Sequence, residues 1–278
     1  MNRLCEIAGV SRAGYYRFRL RAPSQETALD LRSEMQKIAL EWPAYGYRRL
    51  HRELIRRGWV VNHKRVLRLM RIDNLLCLRR RKFIFTTDSQ HGLHIYPNLA
   101  KDMVLTDINQ LWVADITYIR LEVEFVYLAV VLDAFSRSCI GWALQRSLEA
   151  ALVLEALRMA LKKRHPRPGL VHHSDRGVQY ASKDYTDKLD EHGIRISMSR
   201  RGNVLDNAMA ESFIKTLKYE EVYRMEYRDL AEAKASIKEF LERIYNRKRL
   251  HSALGYRPPR EFEQSLSHSS HSARGAVA

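Results

Sequence analysis

The spacing of apolar residues changes twice along this chain. Up to residue 82 they recur every three or four positions, the period of amphipathic helices. Leu29 to Leu40 reads as one helix, broken by "WPAYG". Tyr47 to Arg57 reads as a second, with Leu50, Leu54 and Ile55 on one face and Gly58 as its stop. "WVV" leads to Asn62, an N-cap for a third helix over His63 to Arg71 with Val66, Leu67 and Met70 inward. A short turn between two such helices is the pattern of a helix-turn-helix, so residues 28–82 are assigned to a helical unit of that kind. Upstream, "CEIAGVSRAGYYRF" reads as a helix end at Cys5 to Ala8, a stop at Gly9 and an N-cap at Ser11. Residues 1–22 thus read as the back half of a helix-turn-helix or, equally, as a short ordinary N-terminal helix.

Residues 83–104 show no period and are assigned to a linker. From residue 105 the pattern is that of strands. "LWVADITYI", "FVYLAVVLDAF" and "SCIGWAL" are apolar runs bounded by turn or charged residues. "SLEAALVLEALRMALKKR" from Ser147 to Arg164 returns to helical spacing, "GLVHHSD" is a fourth strand, "SKDYTDKLDEHG" a helix and "IRISMS" a fifth strand. Two longer helical stretches follow, "LDNAMAESFIKTLKYEEVY" and "LAEAKASIKEFLERIYN". A meander followed by crossover helices predicts an α/β unit over 105–262 with a mixed five-stranded sheet covered by helices. The last residues, 263–278, are small and polar and read as disordered.

Charge changes this picture. Residues 1–100 carry 20 Lys and Arg against 8 Asp and Glu, a net +12 of the whole chain's +16. A basic helical front on a nearly neutral α/β unit points to a polyanion partner, nucleic acid above all. The outward cations of the third helix are Lys64, Arg65 and Arg68, and the block Arg79, Arg80, Arg81 and Lys82 is a candidate phosphate strap. Cys5, Cys77 and Cys139 form no CxxC pair, which argues against a disulfide scaffold and a cysteine zinc site. The N-terminus has no signal-peptide core, and the longest apolar run, Phe125 to Leu132, is too short for a bilayer span. These features predict a cytoplasmic protein with no membrane partner.

Three acidic residues carry the candidate chemistry. Asp115 sits inside an apolar strand, where an ionised carboxylate is costly unless something binds it. Asp175 ends the fourth strand, and Glu211 lies in the helix after Asp206. If the first and fourth strands are neighbours, both aspartates enter one cleft and the helix adds Glu211. Clustered carboxylates persist when cations neutralise them, and hard oxygens favour Mg²⁺ or Mn²⁺. Two such ions suit phosphoryl transfer. Asn207, Glu211, Lys215 and Lys218 recur at steps of four, four and three, one stripe suited to a DNA backbone. Taken alone, Glu211 and Lys215 also fit an ordinary surface ion pair. Asp133 reads as a turn residue and Asp206 as a helix cap; of His172 and His173, one is expected to pack and one to face the cleft mouth.

"LWVADITYI", "YLAVVLDAFSR", "HHSDRGVQY", "SMSRRGNVLDNAMAESFIKTLK" and "YNRKRLHSALGYRPPREF" together resemble the second reading-frame product of IS3-family insertion-sequence transposases, from about Val10 to Phe262. The resemblance implies a ribonuclease-H fold of retroviral-integrase type with a DDE triad at Asp115, Asp175 and Glu211. It implies metal-dependent strand cleavage and strand transfer at the insertion-sequence ends. The expected partners are double-stranded DNA, as terminal inverted repeats and target, and an upstream helix-turn-helix and leucine-zipper product joined by a frameshift fusion. A homo-oligomer on DNA and a bacterial, nucleoid-associated location are also implied. "RLEVEFVYL" departs from the family by lacking a glycine-containing hairpin. Two other readings remain open at this point: a DNA-binding regulatory product inactive without the fusion, and a nuclease of the same fold.

Overall fold

The computed structural model describes residues 5, 7, 9–20, 25–75, 77, 94–200 and 204–275. The chain divides into two compact units, residues 1–79 and 80–278. The proposed strap of Arg79, Arg80, Arg81 and Lys82 lies outside the described residues.

The first unit is helical: α1 (Arg12–Leu20), α2 (Gln25–Glu41), α3 (Tyr47–Arg56) and α4 (His63–Ile72). Ser11 Oγ accepts the Gly14 amide at 3.0 Å, and Asn62 Oδ1 accepts that of Lys64 at 2.8 Å, so both caps form as their sequence suggests. Leu31, Met35 and Ile38 of α2, Leu50 and Leu54 of α3, and Val66 and Met70 of α4 make one small core. Ile55 is not part of it; α3 turns that residue outward, and Leu67 is half-buried. The Arg57 guanidinium fans out to Glu34, Glu41 and Glu53 at 2.9, 2.6 and 3.0 Å, tying α2 to the end of α3. Gly58 follows at φ +86°, a conformation that favours glycine and stops the helix.

The second unit is built on a five-stranded sheet in the order β3-β2-β1-β4-β5. β1 (Leu111–Arg120), β2 (Phe125–Asp133) and β3 (Cys139–Gln145) form the antiparallel meander, and β4 (Val171–Ser174) and β5 (Arg195–Met198) add in parallel. Alternation sends Trp112 and Ala114 of β1 to one face, under α5 (Ala150–Arg164) and α6 (Lys183–Asp190). Leu111, Val113 and Ile119 face the other way, under α7 (Ala208–Glu220) and α8 (Leu230–Glu239), which runs on as a π-helical turn to Tyr245. β3 and α5 approach so closely that a Cβ on Gly141 would stand 2.2 Å from the Ala156 carbonyl oxygen.

Three expectations change here. α5 begins at Ala150 rather than Ser147. The back of the supposed linker is not free chain: Leu99, Ala100, Met103 and Leu105 pack on the core, and the Leu99 amide donates to Ser197 Oγ at 2.8 Å. The tail expected to be disordered is helical through most of its length, as α9 (Pro259–Gly275). Proline at its first position suits a helix start. The helix is held because Glu263 pairs with Arg164 and accepts from Ser136, while Phe262 packs on Phe135.

Candidate active site

The parallel register of β1 and β4 creates the site. Leu111, Trp112 and Val113 pair with Val171, His172 and His173. Two residues further along each chain come Asp115 and Asp175, so the aspartates emerge side by side where β4 ends. Asp115 shares the parity of Leu111 and Val113, and α7 packs against β1 on that side. α7 carries Glu211, exposed, and Lys218, half-buried.

Asp115 is half-buried, and its Oδ1 accepts the Ile116 amide at 2.9 Å. Removal from water, the charge of Asp175 and, more weakly, that of Glu211 push its carboxyl up to about 8; the Ile116 bond and Lys218 oppose the rise. Burial raises Glu211 as well. Lys218 is lowered by burial and raised by Asp115, and its ammonium lies 4.3 Å from the centre of the Tyr118 ring. Asp175 Oδ1 accepts the Gly177 amide at 2.9 Å. A Cβ on Gly177 would come within 3.0 Å of that oxygen, so glycine leaves the carboxylate its room. Asp175 and Glu211 thus each lie within electrostatic range of Asp115. Among the described residues, no three acidic, histidine or cysteine side chains are closed around a common point as a finished metal cage.

The surroundings correct several expectations. Neither histidine faces the cleft mouth. His172 Nε2 meets the Tyr185 hydroxyl at 2.9 Å, and burial drops its pKa to about 3. His173 lies between Ser197 Oγ at 2.8 Å and Ser199 Oγ at 3.0 Å. Ser199 in turn donates to the Ser174 carbonyl, and Arg176 Nε donates to the Ser199 carbonyl at 2.7 Å, so the segment bearing Asp175 is pinned to β5. Asn207 was expected at DNA, but it is 7% exposed and donates to the Ala114 carbonyl at 3.2 Å. Its length turns it inward onto the β1 backbone beside Asp115. Asp206 does not cap α7. It accepts the Arg200 amide at 2.8 Å and the Arg200 guanidinium at 3.1 Å, and the turn 204–207 delivers Asn207 as the residue before the helix. Asp133 does organise a turn, accepting the amides of Asn109, Phe135 and Ser136.

Sequence reasoning missed Tyr180. It is buried within electrostatic range of Asp175 and Asp115, and its hydroxyl finds no partner among the described residues. A tyrosine in the turn-rich segment after Asp175 gives no sign of such a position. In the first unit, Lys64 and Arg68 are exposed on α4 and Arg65 is half-buried; among the described residues none has a carboxylate in ion-pair reach.

Comparison with known proteins gives a consistent result. Residues 106–204 match an integrase core domain family, residues 192–259 a second integrase core domain family, and residues 26–83 an HTH-like domain. The chain is 39% identical over 265 residues to an uncharacterized 31 kDa protein of insertion element IS600 from Shigella sonnei, covering 94% of this chain and 97% of that one. It is 38% identical over 222 residues to the transposase for insertion sequence element IS904 of Lactococcus lactis, covering 79% and 87%. The transposase InsF for insertion sequence IS3A of Escherichia coli is 35% identical over 266 residues, covering 94% and 92%. Among solved structures, the catalytic core domain of BIV integrase is 17% identical, with a TM-score of 0.42 over 59% of this chain and 99% of that one.

Proposed function

The chain belongs to the IS3-family insertion-sequence transposases, and from that premise we propose that Asp115, Asp175 and Glu211 are the carboxylates on which its DNA strand cleavage and strand transfer depend. It is a DNA transposase, a polynucleotidyl transferase with an integrase-type core behind a helix-turn-helix-like unit. The observation that supports the residue assignment is Asp115, a carboxyl set beside Asp175 and within range of Glu211 so that its charged form is strongly disfavoured. A fold that keeps such an arrangement gains a binding site for cations in return.

The donor set suits Mg²⁺ or Mn²⁺, taken up as two ions: three carboxylates with hard oxygens, two of them at the end of β4. Asp115 and Asp175 would hold such ions from the sheet, and Glu211 would turn in from α7. Bound there, divalent ions supply activation of the attacking oxygen and neutralisation of the leaving one. The protein's own groups do the rest. Gly177 leaves the space that Asp175 needs. The bond between Asn207 and the Ala114 carbonyl sets the start of α7 against β1, which fixes the height of Glu211. Lys218, beside Asp115, would take a phosphate oxygen, and exposed Lys215 would continue that stripe.

In the first step a water oxygen attacks phosphorus at the element end; its P–O bond forms as the bond to the 3′ oxygen breaks, and that oxygen takes up a proton. In the second step the freed 3′-hydroxyl loses its proton and attacks another phosphodiester, displacing a second 3′ oxygen. One phosphodiester replaces another, so strand transfer needs no high-energy cofactor. Lys64, Arg65 and Arg68 of α4, with the strap at Arg79, Arg80, Arg81 and Lys82, would hold duplex DNA by its phosphates. A frameshift fusion to an upstream helix-turn-helix and leucine-zipper product, assembly as a homo-oligomer on DNA, and a cytoplasmic, nucleoid-associated location complete the reading. No helix among the described residues is long and apolar enough to cross a membrane.

The test is strand cleavage and transfer on labelled terminal-repeat duplexes with Mg²⁺ or Mn²⁺, by the chain with and without its upstream partner. Asp175→Asn and Glu211→Gln are expected to abolish both steps while end binding survives. Cleavage near the wild-type level by either variant would remove that residue from the centre.

A further inference from the structure

β4 pairs with only the first residues of β1, so from Asp115 onward β1 has no strand neighbour on that side among the described residues. An open edge of this kind usually needs cover. α7 lies against it, and where α7 ends the surface is made of aromatic rings. Tyr118 of β1 and Phe125 of β2 meet edge to face at 5.7 Å. Tyr219 of α7 and Tyr223 of the turn after it do the same at 5.6 Å. Lys218 of α7 reaches the Tyr118 ring, and Tyr223 lies within electrostatic range of Tyr118, so the two pairs flank the same open edge of β1. Unlike the buried pair Phe213 and Tyr245 in the core, these rings are in part open to solvent: Phe125 is 52% exposed and Tyr223 38%. The Lys218 ammonium sits on the Tyr118 ring and in range of Asp115, which connects the rings to the carboxylates.

We propose that these rings are a stacking platform for unpaired nucleotides next to the phosphodiester being cut. Stacking on tyrosine and phenylalanine accepts any base, because every base has a π face, and a nearby cation takes the backbone phosphate. The formal charges around the patch are mixed, with exposed Arg120 and Arg224 against Glu122 and Glu226. Attraction at long range is therefore weak, and the rings supply the selectivity. The platform receives the strand that must leave the duplex for its phosphate to reach the carboxylates. This assignment rests on reading Asp115, Asp175 and Glu211 as the catalytic centre.

The experiment is fluorescence anisotropy with the full chain in EDTA, comparing a blunt terminal-repeat duplex with the same duplex bearing a short unpaired oligothymidine tail. The wild-type chain is expected to prefer the tailed duplex by about tenfold, the scale of one base stacked on an aromatic ring. Phe125→Ala with Tyr223→Ala should bring that ratio close to one, while Tyr223→Phe keeps it, since the ring and not the hydroxyl stacks. A preference that survives in the double variant, or its absence from the wild type, overturns the platform. So does a finding by sedimentation that the double variant loses a self-association the wild type shows, because the patch would then be covered by a second copy. Asp115→Asn separates the two readings: it should keep the tail preference in EDTA, whatever cleavage in Mn²⁺ says about the carboxylates.

Discussion

At Asp115 a single side chain works against local stability. The fold holds it beside Asp175, away from water, and pushes its carboxyl up to about 8. Asp115→Asn keeps the shape and removes the charge, so the metal-free variant should melt at the wild-type temperature or slightly above it. The gain in melting temperature on adding Mn²⁺ should shrink, because a ligand stabilises only in proportion to its affinity. Strand transfer should fall by about three orders of magnitude or more, since residues that act as one unit fail together. Wild-type transfer in this variant would sink the assignment. His173 makes the opposite kind of contribution. Its two ring nitrogens are each bonded to a serine in the interior. His173→Ala should cost about 1–3 kcal/mol for the groups left unpaired, visible as a lower midpoint in a urea titration. An unchanged midpoint would mean that water replaces the ring.

At the scale of elements, the approach to α7 matters most. Arg200, through its hydrogen bonds to Asp206, holds that carboxyl well below the usual carboxylate range. A carboxyl with a lowered folded-state pKa contributes stability at pH above roughly 4, and the contribution is lost as pH falls further. The difference in melting temperature between wild type and Asp206→Asn should therefore be largest near neutrality and narrow below about pH 4; a constant difference would show that the carboxylate is not what holds the turn. In the first unit, replacing Lys64, Arg65 and Arg68 by Ala should lower the slope of log affinity against log salt by up to about 3, if each releases one counterion. An unaltered slope in a filter-binding titration would take α4 out of the DNA interface. The elements themselves were largely legible in the sequence: period, caps at Ser11 and Asn62, and stops at Gly9 and Gly58 are local signals, and the structure repeats them. What was not legible depended on partners far along the chain. Asn207 shows a helical stripe in sequence, but its amide is claimed by β1. Asp206 looks like a cap until Arg200 is seen beside it, and the polar tail becomes α9 because Arg164 meets Glu263.

For the whole molecule, the division into two units parallels the two kinds of work proposed for the chain. One small core lies entirely within residues 1–79, and two larger ones lie on either face of the sheet within 80–278. Because each hydrophobic cluster among the described residues lies within one unit, residues 80–278 expressed alone should unfold in one cooperative transition and keep Mn²⁺-dependent stabilisation. Their preference for terminal repeats over unrelated duplex should fall toward one in a competition titration, since the helix-turn-helix-like unit is gone. A broad, non-cooperative melt would show that the core leans on the first unit. Residues 1–79 carry 17 Lys and Arg against 7 Asp and Glu, +10 of the chain's +16, so on the proposed reading affinity for DNA in general and chemistry at the ends fall to different parts of the chain.

The parallel pairing of Leu111 with Val171 has a consequence in time as well as in space. The meander β1-β2-β3 closes through short loops and can form as soon as residue 145 has been made. Asp175 joins Asp115 only after β4 has been synthesised, has followed α5 across the sheet and has found the free side of β1. That contact closes a loop of some sixty residues, a slow step compared with a hairpin. On the proposed reading, a partly folded or ribosome-bound chain therefore holds isolated aspartates and basic helices: it would touch DNA but have no centre with which to cut it. On the same reading, competence to break a strand waits for this closure and for the later docking of α7, which brings Glu211 to β1, so the order of folding itself withholds the reaction from incomplete molecules.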